Sequence, residues 1–297
     1  MPIIITGATG QVGGALVKRL GRAAVGLSRR ELDLTQLDTL GKTLDRLAPE
    51  IIINPAGYTA VDRAEDEEQL AFRVNAEAPR VMARWAADHQ VPLVHFSTDY
   101  VFDGVATKPW REDDKPNPLS VYGASKLAGE QAIRSAGGIH LIVRTSWIYA
   151  SAGNNFLRTI VRLGRERNEL RIVADQFGAP SSAGLIADVV AAIVEQPRHA
   201  LDELFGTSRG LVHVAASGHT TWHGFAVAIV EGLRSRGVKL ATASIVPITT
   251  AEYPSKAKRP ANSKLDLSRL REVFGITTPE WRVALSPELD QLARELD

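Results

Sequence analysis

Along the first half of the chain, short runs of apolar residues alternate with longer stretches in which apolar positions recur every three or four residues. The runs are rich in β-branched residues and suit strands buried on both faces of a parallel sheet, while the longer stretches suit covering helices. The pattern predicts strands at Pro2–Thr6, Ala23–Leu27, Ile51–Asn54, Pro92–Ser97 and Ile139–Thr145. Between them it predicts helices at Gln11–Leu20, Leu37–Leu47, Asp62–Phe72, Asn75–His89 and Val121–Ser135. Beyond Ala150 the rhythm becomes helix-rich, with helices predicted at Asn155–Arg167, Leu185–Glu195, Gly224–Arg236 and Pro287–Leu296. Strand candidates there are Leu170–Val173, Leu211–Ala215 and Ser244–Pro247.

Repeated strand–helix–strand units define an α/β fold: a doubly wound, Rossmann-like parallel sheet over residues 1–150, then a smaller C-terminal α/β domain over 151–297. Some segments of the second part are expected to return to the first. Two polar, proline-bearing loops, Asp103–Leu119 and Thr249–Ser263, exceed the usual connection of about four to six residues and are expected to act as binding elements or lids.

Composition narrows the partners. The 297 residues are 44% hydrophobic and 23% charged, enough apolar material for a sizeable core. Lys plus Arg total 35 against 34 acidic residues, so no bulk field attracts nucleic acid or an anionic membrane, and an anionic ligand must be met by a local site. With no cysteine, disulfides, thiolate metal sites and cysteine nucleophiles are excluded. The start MPIIITGATG has no signal-peptide pattern, and no apolar run reaches the about 20 residues of a membrane helix. A cytoplasmic protein is expected, with a small-molecule substrate and no nucleic-acid or membrane partner.

The segment Thr6-Gly7-Ala8-Thr9-Gly10-Gln11-Val12-Gly13 follows a strand and opens a helix. Glycines there let the backbone approach a pyrophosphate, whose charge the helix N-terminus stabilises, so Gly7, Gly10, Gln11, Val12 and Gly13 are cofactor candidates. NADH sites usually end the second strand on a carboxylate, whereas this one ends Leu27-Ser28-Arg29-Arg30. Guanidinium forks suit a 2′-phosphate, which favours NADPH and leaves NADH open. Asp33 and Leu34 are placed to flank the adenine, and Gly57, Tyr58 and Thr59 to line the central ribose and phosphates.

Tyr122 and Lys126 lie one helical turn apart on one face. A neighbouring ammonium lowers a phenol's pKa and makes it a usable proton donor, and Ser97-Thr98 supplies a hydroxyl at the end of the fourth strand.

These residues resemble the extended short-chain dehydrogenase/reductases. Longer motifs narrow the resemblance to the dTDP-4-dehydrorhamnose reductase family: Asn54-Pro55-Ala56-Gly57-Tyr58-Thr59-Ala60-Val61-Asp62, Ser97-Thr98-Asp99-Tyr100-Val101-Phe102-Asp103-Gly104, Val121-Tyr122-Gly123-Ala124-Ser125-Lys126-Leu127-Ala128-Gly129-Glu130 and Arg144-Thr145-Ser146-Trp147-Ile148-Tyr149. Gly153-Asn154-Asn155-Phe156, Asp175-Gln176-Phe177-Gly178-Ala179-Pro180, Thr220-Thr221-Trp222-His223 and Arg259-Pro260-Ala261-Asn262-Ser263 extend it over essentially the whole chain. The resemblance implies NADPH-dependent reduction of the C4 ketone of dTDP-4-dehydro-6-deoxy-L-mannose to dTDP-L-rhamnose. It implies Tyr122 as general acid, Lys126 on the nicotinamide ribose and tuning Tyr122, and Thr98 on the substrate oxygen. Asp99 and Trp147 are implied as sugar contacts, with Asn155 and Arg259 as candidates for the nucleotide end. Thr98-Asp99-Tyr100 lacks the glutamate of the related dehydratases, so reduction fits better than elimination of water.

Three signals are discounted. His219 and His223 suggest a helix start at Thr220–Thr221 rather than a metal site. Glu65-Asp66-Glu67-Glu68 reads as a solvated helix face. The glutamate with which some family members bind magnesium at a dimer interface is replaced by Gly14-Ala15, so no metal is expected and the chain is expected as monomer or homodimer. Two rivals remain: a non-catalytic NADP-binding regulatory subunit like that of methionine adenosyltransferase, and a reductase or epimerase of another nucleotide-linked 4-keto sugar.

Overall fold

The computed structural model describes residues 2–296. In chain order its first half contains β1 (Ile3–Thr6), α1 (Gln11–Leu20), β2 (Ala24–Leu27), α2 (Leu37–Leu47), β3 (Ile51–Asn54), α3 (Val61–Ala64), α4 (Glu68–Phe72), α5 (Ala78–Asp88), β4 (Leu93–Thr98), α6 (Val121–Ser135) and β5 (His140–Thr145). There follow β6 (Ile148–Tyr149), α7 (Phe156–Glu166), β7 (Glu169–Val173), β8 (Phe177–Gly178), β9 (Ser181–Ser182), α8 (Ala183–Val194), α9 (Arg198–Thr207) and β10 (Leu211–His213). The chain closes with β11 (Thr220–Thr221), α10 (Trp222–Arg234), β12 (Ser244–Ile248), α11 (Ser268–Phe274) and α12 (Trp281–Leu296).

Six strands form one parallel sheet in the order β10-β5-β4-β3-β1-β2. The order reverses between β1 and β3, and that switch point opens a crevice at the carboxyl ends of the strands. Central strands such as Ile51-Ile52-Ile53-Asn54 are buried at every residue, as sheets covered on both faces require. One face carries α1 with α8 and α9 over Ile5, Ile53, Val94 and Val143. The other carries α2, α5 and α6 over Ile4, Ile52, Leu93 and Ile142. A separate apolar core joins α7, α10 and α12 around Phe225 and Trp281. Both α8 and β10 come from beyond residue 150, so the later chain does return to the first sheet.

The helix expected over Asp62–Phe72 is broken after Ala64, and three of its acidic residues there bind partners from elsewhere in the chain. Glu65 Oε1 accepts from the backbone N–H of Val121 at 2.9 Å, Glu67 accepts from the Tyr58 hydroxyl at 2.5 Å, and Asp66 pairs with Lys256. The solvated-face reading holds for Asp66 and Glu68, which are exposed, and is corrected for Glu65 and Glu67, which are half-buried. Asn75–His89 does not start a new helix: a π-helical turn, Arg73–Glu77, joins α4 to α5 and turns Asn75 inward. Pro287, expected to open the last helix, lies inside α12, which begins at Trp281. Thr221 caps α10 by accepting from Gly224 N–H, as expected near His223. The two long loops clasp each other: Trp110 Nε1 donates to the Asn262 carbonyl, and Asn262 Nδ2 donates to the Ala106 and Lys108 carbonyls. No helix among the described residues is long and apolar enough to cross a membrane.

Candidate active site

The turn after β1 requires its glycines at two places. Gly7 has φ +58°, and a Cβ there would stand 3.0 Å from the Ala56 Cα; a Cβ on Gly13 would stand 2.1 Å from the Gly7 carbonyl oxygen. Gly10 starts α1 with no side-chain cap, so the first-turn N–H groups stay available to a ligand. The turn opens onto a cleft of ≈ 2290 Å³ along the carboxyl ends of the strands.

Seventeen of the nineteen candidate site residues line this one cleft; Arg30 and Lys126 do not. Arg29 reaches into it, with Nε 3.4 Å from Asp33 Oδ2, whereas Arg30 stays exposed outside. Asp33 accepts from the backbone N–H and hydroxyl of Thr35, both at 2.9 Å, and the first of these bonds helps hold its carboxyl below the ordinary range. Leu34 is a buried apolar wall beside it. Tyr58 is held on both sides of its peptide by Asn75, whose Oδ1 accepts from Tyr58 N–H at 2.8 Å and whose Nδ2 donates to Tyr58 C=O at 3.0 Å. Gly57 and Thr59 flank it in the same wall.

At the floor, Thr98 Oγ1 donates to Asp99 Oδ1 at 3.0 Å and accepts from Tyr100 N–H. Asp99 is 2% exposed and its Oδ2 is buried without a partner; burial pushes its pKa up to about 6, against the hydroxyls of Ser263 and Thr98. Burial also raises the Tyr122 phenol, Thr98 drawing it partly back. The Tyr122 ring meets Tyr100 edge to face at 5.6 Å. The ammonium expected beside Tyr122 is elsewhere. Lys126 Nζ lies beneath the floor, donating to the Phe96 carbonyl at 2.5 Å with His95 Nε2 at 3.3 Å, and burial lowers its pKa to about 8 despite nearby Glu130. In this geometry the phenol is therefore not lowered by the lysine, because Lys126 is drawn down onto β4.

Trp147 adopts φ +47° and stacks on Trp222 at 3.6 Å, a pair that lines the same cleft as Thr98. Arg259 NH2 donates to Asp62 Oδ2 at 2.6 Å and NH1 lies 3.5 Å from the Tyr100 hydroxyl, so the long C-terminal loop reaches across to the floor. Asn155 is foremost a structural residue: its Oδ1 caps α7 at Arg158 N–H, while Nδ2 donates to Gln11 Oε1.

Sequence reasoning missed Asn75, Trp222, Ser263 and the buried ion pair of Glu130 with Arg144, at 2.6 and 2.8 Å, to which Ser97 Oγ also donates. Glu130 and Arg144 stand inside the family's motifs, and a charged residue in a run otherwise apolar was the available signal.

Fold and site together define an extended short-chain dehydrogenase/reductase: a glycine turn at the switch point, a hydroxyl ending the fourth strand, and a tyrosine and lysine one turn apart on α6. The RmlD substrate binding domain model matches residues 1–294, and the chain belongs to that family. A dTDP-4-dehydrorhamnose reductase of Burkholderia thailandensis is 46% identical over 292 residues, covering 96% of this chain and 97% of that one. The crystal structure of a dTDP-4-dehydrorhamnose reductase from Clostridium acetobutylicum superposes with a TM-score of 0.89 at 36% identity, covering 98% of this chain and 99% of that one. That of the Bacillus anthracis dTDP-4-dehydrorhamnose reductase, in complex with NADP, gives 0.86 at 33% identity, covering 98% and 100%.

Proposed function

We propose that this chain reduces the C4 ketone of dTDP-4-dehydro-6-deoxy-L-mannose with NADPH, giving dTDP-L-rhamnose. The observation that carries the reading is the adjacency of Thr98, Asp99 and Tyr122 on the floor of the cleft that the glycine turn also lines.

The turn fits a dinucleotide: Gly7 and Gly13 let its backbone fold tightly where a Cβ would strike Ala56 or the Gly7 carbonyl, and the open end of α1 favours an anion. Gly7, Gly10, Gln11, Val12 and Gly13 would hold the pyrophosphate, Arg29 the 2′-phosphate, Leu34 and Asp33 the adenosine, and Gly57–Thr59 the central ribose and phosphates. When bound, the reduced nicotinamide supplies a hydride. Tyr122 then holds the proton that the developing alkoxide takes, and its raised pKa keeps it protonated at neutral pH. Thr98 donates to the same oxygen and orients the ketone. Lys126 lies below the floor, and its ammonium would have to leave the Phe96 carbonyl to meet the nicotinamide ribose. Asp99 and the Trp147–Trp222 pair fix the sugar ring, and Arg259, steadied by Asp62, meets the diphosphate. Residues 1–150 thus supply mainly the cofactor half and 151–297 mainly the sugar-nucleotide half.

The reading requires a single chain, whether monomer or homodimer, and a cytoplasmic supply of nucleotide sugar. Its test supplies NADPH and the 4-keto-L-rhamnose nucleotide generated in situ, follows loss of reduced nicotinamide, and identifies the product by NMR. dTDP-L-rhamnose is expected. No consumption overturns the reading in favour of a regulatory cofactor-binding role, and a different sugar assigns another stereochemical outcome.

A further inference from the structure

On the face of the sheet that carries α2, α5 and α6, three adjacent strands pass from an apolar rung to a polar one. Ile4, Ile52 and Leu93 belong to the core, and two residues on in each strand stand Thr6, Asn54 and His95, all buried. A polar rung inside a doubly covered sheet is costly unless its members satisfy one another. They do so in a chain that ends on the active-site lysine. Thr6 Oγ1 donates to Asn54 Oδ1 at 2.5 Å, Asn54 Nδ2 lies 3.0 Å from His95 Nδ1, and His95 Nε2 lies 3.3 Å from Lys126 Nζ. Asn54 and His95 are 0% exposed and are register partners on β3 and β4. The other end is at the cofactor turn, where Thr6 precedes Gly7 and its Oγ1 accepts from Ala56 N–H at 3.4 Å.

The chain has two self-consistent senses. In one, Thr6 donates to Asn54, the Asn54 amide to His95 Nδ1, and His95 Nε2–H to an uncharged lysine amine. In the other, the lysine ammonium donates to His95 Nε2, Nδ1–H donates to an Asn54 carboxamide turned end for end, and that amide donates to Thr6. The imidazole stays uncharged throughout, because burial and the nearby lysine both oppose its protonation.

We propose that His95 is a positioning residue for the reduction, holding Lys126 Nζ beneath the floor of the site through a hydrogen-bond chain whose sense follows the proton on Lys126. The inference rests on the reductase reading for its kinetic consequence, but not for its geometry. The groups facing Lys126 are His95 and the Phe96 carbonyl from β4 and Glu130 from its own helix, which is paired with Arg144 from β5.

The first test needs no turnover and is read in the unaltered protein. With ¹⁵N-histidine and ¹³C-lysine labels, the His95 tautomer and the Lys126 side chain are followed by NMR against pH in the unaltered protein, Lys126→Arg assigning the lysine signal. A neutral ring that exchanges its Nε2–H and Nδ1–H forms at the midpoint of the Lys126 titration is expected. A tautomer that stays constant through that titration overturns the proposal. The second test compares His95→Phe, which has no acceptor, with His95→Gln, whose Oε1 replaces Nε2. Phe is expected to lower the Lys126 midpoint by about one pH unit and Gln to restore it. In turnover, the alkaline limb of kcat should move with that midpoint while KM for the sugar nucleotide holds. Equal midpoints in the two folded variants would overturn the proposal; if both NMR results stand and no NADPH is consumed, the reductase reading fails instead.

Discussion

Asn155 Nδ2 donates to Gln11 Oε1 at 2.9 Å, joining the cap of α7 to the first residue of α1 across the cleft. The same side chain caps α7 through Oδ1 and donates to the Ala150 carbonyl. Asn155 thus bridges two walls of the cleft at whose nucleotide end it was expected.

Asn155→Ala removes both the cap and the bridge. Stability should fall by about 1 kcal/mol, the typical cost of losing an N-cap, measured by urea unfolding. KM for NADPH should rise while KM for the sugar nucleotide holds, because Gln11 belongs to the cofactor turn. A rise confined to the sugar nucleotide would return Asn155 to the substrate.

Tyr122→Phe keeps the ring contact with Tyr100 and loses the hydroxyl with its proton and its bond to Thr98. Turnover should fall about 10²–10⁴-fold, with NADPH binding, read by its fluorescence, unchanged. Retention of most of the turnover would assign the proton to another group.

Arg29 lines the cleft and Arg30 does not. Arg29→Ala should raise KM for NADPH about tenfold and leave NADH unchanged, the loss expected for one charge-assisted contact to a 2′-phosphate. Arg30→Ala should do much less. Equal effects on both cofactors would show that Arg29 does not meet the 2′-phosphate.

Asp99 couples stability to pH. Its folded pKa of about 6 lies above the ordinary 3.8, so between those values the folded protein holds more protons than the unfolded one. Stability therefore falls as pH rises through that window and stays lower above it. Asp99→Asn should abolish this loss: the variant should gain up to about 3 kcal/mol at pH near 8, at about 1.4 kcal/mol per pH unit separating the folded and unfolded pKa, and nothing at pH near 4. Its turnover should fall, since Asp99 lines the cleft proposed to take the sugar. Unfolding curves at the two pH values decide it.

Glu130 and Arg144 are each 2% exposed and bonded twice. Arg144→Leu alone should cost about 3–5 kcal/mol by leaving Glu130 buried and unpaired, and joint replacement of both by apolar residues should recover much of it. A double variant no more stable than the single one would put the cost in lost packing over Phe102, which the Arg144 guanidinium covers at 5.0 Å.

Much of the fold is legible because local chemistry decides it. The ends of Gln11–Leu20, Leu37–Leu47 and Val121–Ser135 coincide with the sequence pattern, since helical period and breaking residues act over a few neighbours. The glycine turn is legible for the same reason. The helix α9 was missed, as only Leu201 and Phe205 anchor it in the core.

What escaped local pattern is what partners far along the chain decide. Glu65 looks like a solvated acid until β4 and α6 bring Val121 to it, and Asn75 looks like a helix residue until a π-helical turn presents it to Tyr58. The spacing of Tyr122 and Lys126 announces one helical face, yet cannot say where a flexible four-carbon stem ends. The buried carbonyl of Phe96 and the ring of His95 decide that. A buried polar group goes where its hydrogen bonds can be satisfied, and only the assembled sheet supplies those partners.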